Sequence, residues 1–372
     1  MKIGVNLIQY IDLQGIEIFI KNILAAWPRN DNTEIVLFTN QKSALIFKDL
    51  SPQFKIISHT FSHLTPLHLI LFQQFRLPRL LRQNKIDLLL CPSLSLPLFF
   101  RRKKVIIHDL AICRYPKESG LFGRLYLRLA ILSAKYFSLG LAAVSEFAKQ
   151  EISALLKIKA STIPVIGEGV PALPKLDLEF SNTAEAAIAK TKIPAGQKYF
   201  LYIGNIRPRK NLPRLITAFQ IFSTTHPDYR LVIAGKRDKN SRTLEKSIIE
   251  PELKEKIIFS GFVSDEEKVH LIKGGRGLVF ISLYEGFGLP ILEAQALETP
   301  VLSAAVSALP ETAGPNGALF ADPLNIKDIA AKLEIMAEDE EKRQKLIVAG
   351  KENLKRYSWE KSAKNLQRFL GD

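Results

Sequence analysis

Short, nearly continuous apolar runs alternate along this chain with longer stretches in which apolar residues recur every three or four positions. The short runs predict strands at Lys2–Leu7, Glu34–Phe38, Ile86–Leu90, Lys104–Ile107 and Leu141–Val144. A second series follows at Tyr199–Ile203, Arg230–Ala234, Ile257–Phe259, Gly277–Ile281 and Pro300–Ser303. The periodic stretches predict helices over Glu17–Ala26, Phe122–Tyr136, Glu146–Leu156, Leu212–Thr225 and Asp265–Lys273. Strands apolar on both faces must be covered on both faces, so the alternation implies an α/β protein with parallel sheets. The series breaks over 171–196, where Pro171, Pro174, Pro194 and Gly196 mark a linker, with a short helix expected around Ala184–Ala189. Two Rossmann-like domains are therefore expected, 1–170 and 197–356, each large enough for its own core. The last segment, 357–372, is amphipathic from Trp359 and should pack on something.

Composition adds exclusions. The two cysteines, Cys91 and Cys113, form neither a CxxC pair nor a metal-ligand spacing, which fits a reducing compartment. The opening MKIGVNLIQY reads as a strand and not as a secretory signal. The longest uncharged run, Ile56–Phe75, holds His59, His63 and His68 and is too polar to span a membrane. A cytoplasmic location is expected.

Charge is uneven. Residues 1–170 carry 22 Lys and Arg against 11 Asp and Glu, a net +11 out of +15 for the whole chain. Such a half points to an anionic partner. No zinc spacing, aromatic RNP-like strand or helix-turn-helix pattern supports nucleic acid, so that remains the lesser alternative. An anionic membrane surface fits better, as on the inner face of a plasma membrane. Its candidates are Arg76, Arg79, Arg82 and Lys85 beside Leu77, Leu80 and Leu81; the Arg101–Lys104 run; and Arg124, Arg128 and Lys135 beside Leu125, Leu129 and Leu132.

Three stretches carry chemistry. In LVFISLYEGFGLPILEAQA an apolar strand runs into Glu285-Gly286-Phe287-Gly288-Leu289, and Pro290 opens a helix. The glycines permit a tight turn and close backbone approach, and the helix start suits a diphosphate. Glu285 is expected in the loop and Glu293 in the first helical turn, so both can address one ligand; a carboxylate at Glu293 suits a ribose diol. In YFLYIGNIRPRKNLPRLITAF a strand ends at Gly204, and Arg207, Arg209 and Lys210 follow, cations able to clamp phosphate oxygens. In VIIHD a strand delivers His108 and Asp109 to its carboxyl end, where open α/β sheets place ligands.

These residues resemble glycosyltransferase family 4, retaining enzymes of the GT-B fold, in which two Rossmann-like domains face each other across a cleft. The family's Glu, seven residues, Glu motif is matched by Glu285 and Glu293 around the Gly-Phe-Gly-Leu core. The resemblance implies that Glu285 lies near the transferred sugar and Glu293 holds the nucleotide ribose. It places Arg209, Lys210 and the Gly204 turn on the diphosphate. Gly286, Phe287, Gly288 and Leu289 supply backbone contacts, and His108 stands with Glu285 at the reaction centre. The segments AVSEFAKQEI, IPVIGEGV, LPETAG and FADPLN also resemble the family's, and the helix from Trp359 looks like the one that crosses back to the N-terminal domain. Two places depart from the family pattern. The loop that approaches acceptor and phosphate keeps only Gly15 of its usual glycines, and Gly167-Glu168-Gly169-Val170 replaces the more usual Asn-Gly-Val.

The implied reaction moves a hexose-type sugar from a nucleoside-diphosphate sugar to a hydroxyl of a glycan or lipid-linked acceptor. It proceeds with retention and without a cofactor or metal, since no Asp-x-Asp stands at a donor position. The N-terminal domain would take the acceptor and the C-terminal domain the donor. Other GT-B chemistries, a nucleotide-sugar epimerase or a phosphorylase, are the alternatives.

Overall fold

The computed structural model describes residues 1–8, 14–28, 33–50, 54–61, 66–118, 120–170, 173, 193 and 197–371. The chain divides into two compact units, Met1–Gly169 with Tyr357–Asp372, and Val170–Arg356. The linker stretch 171–196 is outside the described residues except at 173 and 193, and so is the helix expected around Ala184–Ala189.

The first unit holds a parallel sheet of β1 (Lys2–Asn6), β2 (Glu34–Asn40), β3 (Lys55–His59), β4 (Leu88–Cys91), β5 (Lys103–Ile107) and β6 (Gly140–Ala143), in the order β3-β2-β1-β4-β5-β6. The second holds β7 (Lys198–Ile203), β8 (Tyr229–Ala234), β9 (Ile257–Gly261), β10 (Gly277–Phe280), β11 (Val301–Ala304) and β12 (Leu319–Ala321), in the order β12-β11-β10-β7-β8-β9. All pairings are parallel. Numbered within its own unit, each sheet reads 3-2-1-4-5-6, the order of dinucleotide-binding folds. Strand order therefore reverses between β1 and β4, and between β7 and β10. There the connecting chains leave in opposite directions and open a crevice at the carboxyl ends.

All ten strands expected from the pattern are present, with ends moved by one or two residues. β3 and β12 were not expected. β3 is an edge strand, only half-buried, within a mixed polar run, and β12 has three residues, too few for a periodic signal.

The helix Trp359–Gly371 packs in the first unit with Leu366, Phe369 and Leu370 buried. Asn365 donates to the carbonyls of Val165 and Ile166 at 3.3 and 3.1 Å. The Lys104 ammonium donates to the Phe369 carbonyl and lies 5.1 Å over its ring, a cation at the helix's C-terminal end where the dipole favours it. At the other end Trp359 closes on Gly169 so tightly that a Cβ there would lie 2.5 Å from the indole.

Candidate active site

The β7–β10 crevice collects the sequence-predicted donor residues. β7 runs into Gly204, whose N–H donates to the Ala234 carbonyl at 2.9 Å. A single 3-10 turn, Pro208–Lys210, follows. It stops because Asn211 adopts the left-handed conformation (φ 62°), held there as its amide donates to the Pro323 carbonyl at 2.7 Å. The turn is tied to the loop after β10 by the Leu283 N–H, which donates to the Arg209 carbonyl at 2.8 Å.

Across that tie the charges meet. Arg209 Nη1 donates to Glu285 Oε2 at 2.9 Å and to the Tyr284 carbonyl at 3.0 Å, and Lys210 Nζ donates to Glu285 Oε1. Lys210 also lies 5.1 Å over the Phe280 ring. The Glu285 N–H donates to Ser307 Oγ at 3.1 Å. Burial pushes the Glu285 carboxyl up, but Lys210 and then Arg209 more than offset it, leaving the group below its ordinary value and ionised. The structure thus presents a buried carboxylate held between two cations at a ligand crevice, with acceptor and donor groups side by side.

The next turn needs its glycines. Gly288 has φ 140°, and a Cβ there would lie 3.0 Å from Leu309. Gly286 and Phe287 are buried, and the Phe287 carbonyl accepts from Thr312 Oγ1 at 3.2 Å. The helix opens at Leu289, with Pro290 second and no side chain capping it. Glu293 is therefore the fifth helical residue, just past the first turn in which it was expected. Lys268 Nζ, from the helix Asp265–Gly274, donates to Glu293 Oε1 at 2.7 Å and lies 3.1 Å from Asp265. Burial lowers the Lys268 ammonium, but Glu293 and then Asp265 outweigh it and hold the group above its ordinary value. No pattern marked Lys268; its position on the face opposite Glu293 is a tertiary fact.

His108 and Gly15 belong to the first unit. His108 follows β5, largely buried, with the Phe19 ring edge-on at 4.8 Å. Gly15 is exposed, one turn before Phe19 on the helix Gln14–Ala25. Burial drives the His108 ring down to about 4 against an opposing hydrogen bond with the Pro92 backbone, so the imidazole is neutral at physiological pH. Leu13, the first residue of the loop motif, is outside the described residues.

The three expected basic patches differ in what they expose, and of the Arg101–Lys104 run Arg101 and Arg102 are exposed beside Phe99. Leu77 and Leu81 are core and form no outward face beside Arg76, Arg79 and Arg82; the exposed apolar residues next to these arginines are Leu71 and Phe75. Lys103 is fully buried; its ammonium donates to the carbonyls of Leu98, Phe100 and Phe137 at 3.1, 2.6 and 2.9 Å. Lys104 is buried against the C-terminal helix. The helix Leu121–Phe137 differs. It packs Tyr126, Leu127, Ala130, Ile131 and Ala134 inward yet leaves Leu121, Phe122, Leu125, Leu129, Leu132 and Tyr136 exposed.

Two Rossmann-type sheets, the second with a glutamate-centred crevice between its halves, define a twin doubly wound α/β protein with a candidate ligand site at its strand ends. The sequence model of "Glycosyl transferases group 1" matches residues 183–353. O-antigen chain mannosyltransferase B of Escherichia coli is 31% identical over 275 residues, 72% of this chain and 70% of that protein. O-antigen chain mannosyltransferase RfbU of Salmonella typhimurium is 27% identical over 272 residues, 72% and 70% of the two chains. Among solved structures, Anabaena Alr3699/HepE in complex with UDP and glucose superposes with a TM-score of 0.76 at 17% identity, over 100% of this chain and 99% of that one. The chain belongs to the group 1 glycosyl transferases and has their GT-B fold.

Proposed function

We propose that this glycosyltransferase moves a hexose from a nucleoside-diphosphate sugar to a hydroxyl of a glycan or lipid-linked acceptor, with retention and without a metal. The observation that carries the reading is the Arg209–Glu285–Lys210 cluster at the β7–β10 crevice. An incoming diphosphate competes with Glu285 for the two cations. Glu285, released in part, accepts from a sugar hydroxyl, while Arg209 and Lys210 take up the charge that grows on the leaving diphosphate. Two fixed cations supply the electrostatic work that a metal would otherwise do, so full activity in chelator is expected. Glu293 accepts from the ribose hydroxyls. The leaving phosphate takes the acceptor's proton on the face from which it departs, which retains configuration. A glycosidase-style nucleophile is not assigned to Glu285, because its two nearest partners are cations that hold the carboxylate in place. The hexose and the polysaccharide setting are supported by the mannosyltransferase relatives, and a nucleotide-sugar donor by the UDP complex among the structural neighbours.

Thermal-shift screening against UDP-, GDP-, ADP- and TDP-sugars tests this. A selective stabilisation is expected, about 2.7 kcal/mol at a hundredfold excess over Kd, and it should vanish in Glu293→Ala. No shift with any sugar nucleotide would sink the transferase mechanism proposed.

The exposed stripe on the helix Leu121–Phe137 supports a peripheral seat on anionic lipid at a cytoplasmic membrane face. Leu121 and Phe122 are 78% and 82% exposed, and Arg124, Arg128 and Lys135 flank the stripe. A helix apolar on its core face and on its outer face buries the second against something, and cations at its margin select anionic headgroups. No described helix is long and apolar enough to cross a membrane. Flotation with phosphatidylglycerol vesicles is expected for the wild type. It should be lost with Phe122→Glu and weakened by salt, with phosphatidylcholine alone failing to bind; equal flotation of Phe122→Glu would remove this surface.

A further inference from the structure

Glu168 departs from the usual residue of its motif, and the mechanism above does not use it. It lies at the carboxyl edge of the first sheet. Val165 bridges Ala143 at the end of β6, and Ile166 donates its N–H to the Ala143 carbonyl at 2.8 Å, so Glu168 emerges beside the end of β5, where His108 stands. Glu168 Oε1 is 3.8 Å from His108 Nδ1, beyond hydrogen-bond reach. Glu168 Oε2 and His108 Nε2 are both inaccessible and have no hydrogen-bond partner among the described residues. Two orphaned polar atoms on adjacent strand ends are costly unless something other than this chain satisfies them.

The surroundings select what that is. Phe19, fully buried, packs edge-on to His108 at 4.8 Å and lies 6.0 Å from Trp359. Ser362 approaches Gly167 from the same C-terminal helix. Among these neighbours only His108 is ionisable, and among the described residues no Lys or Arg pairs with the carboxyl. A phosphate or carboxylate ligand would find no counter-charge among those residues. A neutral hydroxyl, which both donates and accepts, matches one orphaned atom of each kind.

We propose that Glu168 is a sugar-binding residue that grips one hydroxyl of the acceptor together with His108. This rests on the reading of the first unit as the acceptor side of a glycosyltransferase. Burial, its only cause of shift, raises the Glu168 carboxyl to about 8, so at neutral pH it is a carboxylic acid that donates from one oxygen and accepts at the other, as an amide does. His108, neutral down to about 4, donates from Nδ1 to the Pro92 carbonyl and so accepts at Nε2. Above pH 8 the carboxyl ionises, its donor is lost, and acceptor binding weakens. His108 holds the same neutral form across that range, so the alkaline loss belongs to Glu168.

The test is ligand-observed NMR with p-nitrophenyl α-mannoside, α-glucoside and α-galactoside as probes. It compares donor-saturated wild type, Glu168→Gln, Glu168→Ala and His108→Ala between pH 6 and 9.5. Wild-type affinity for at least one hexoside should fall about tenfold above pH 8, the loss of one hydrogen bond. Glu168→Gln should bind at neutral pH with a flat profile, since its amide keeps donor and acceptor at every pH. Glu168→Ala and His108→Ala should each bind about tenfold more weakly throughout. Wild-type and Glu168→Ala profiles that coincide would overturn the assignment, as would no wild-type binding of any hexoside while the sugar-nucleotide thermal shift persists. Loss of that shift as well would instead indict the transferase reading itself.

Discussion

Lys210→Ala is expected to lower kcat/KM by about 10²- to 10³-fold, the usual effect of deleting one preorganised donor to a developing oxyanion. Lys210 and Arg209 reach the crevice from the same 3-10 turn and clasp opposite oxygens of Glu285. Removing the ammonium acts twice. The leaving diphosphate loses a counter-charge, and the buried Glu285 carboxylate loses the larger of its two cationic partners against its desolvation, which moves its pKa upward. Lys210→Arg should recover only part of the loss, because a planar fork does not reproduce a compact ammonium seated over the Phe280 ring. Steady-state kinetics with the donor found by thermal shift provides the check, alongside a melting curve to confirm folding. A Lys210→Ala enzyme of wild-type kcat/KM would remove this cation from the mechanism and leave the diphosphate to other groups.

Glu168→Gln is expected to be more stable than the wild-type chain at pH 8 and no more stable at pH 4. The direction follows from proton binding. The Glu168 carboxyl titrates at about 8 in the fold against an ordinary 4.5. Below 4.5 both folded and unfolded chains hold the proton, and the substitution costs or gains little. Between 4.5 and 8 the unfolded chain has released the proton while the fold retains it, so wild-type stability declines as pH rises. Each unit of separation corresponds to about 1.4 kcal/mol, giving a total on the order of a few kcal/mol. Glutamine carries no such proton, so the variant's curve lacks this decline. Melting temperatures across pH 4–9 measure it. Parallel curves for the two proteins would mean that Glu168 is already ionised at neutral pH, and that its neighbours solvate it better than burial implies.

The two predictions differ in how far the sequence alone leads to them. Glu285, Arg209 and Lys210 stand in a cationic strand-end turn and a glycine-lined loop that are legible in the sequence, because strand ends, glycines and a helix-opening proline are local signals. That Lys210 reaches Glu285 across 75 residues is not local. It follows from β7 and β10 lying side by side, which the pairing of Phe200 with Gly277 and Leu201 with Leu278 establishes. Lys268 lacks even a motif; only the seating of its helix beside the helix Leu289–Ala296 makes it the partner of Glu293.

Charge patterns were the least reliable guide. Lys103 and Lys104 read as surface cations from their run, yet both are interior, Lys103 satisfied by three carbonyls and Lys104 by the end of the C-terminal helix. A long aliphatic stem can carry an ammonium inward when backbone acceptors wait there, and nothing in a run of basic residues reports those acceptors. Leu77 and Leu125 sit in similar amphipathic contexts, but one is buried and the other 59% exposed.

By itself, then, the sequence determined the alternation of buried strands and helices, the division into two units, and the turns and charged residues on which the proposed donor site rests, because each is written in periodicity or in residues with restricted backbone preferences. The tertiary structure alone decided which charges pair, which cations are interior, which apolar helix face is left outward, and that one oxygen of Glu168 and one ring nitrogen of His108 lie buried without a hydrogen-bond partner among the described residues. Those facts depend on contacts between residues far apart in the chain, and burial, not composition, sets their protonation.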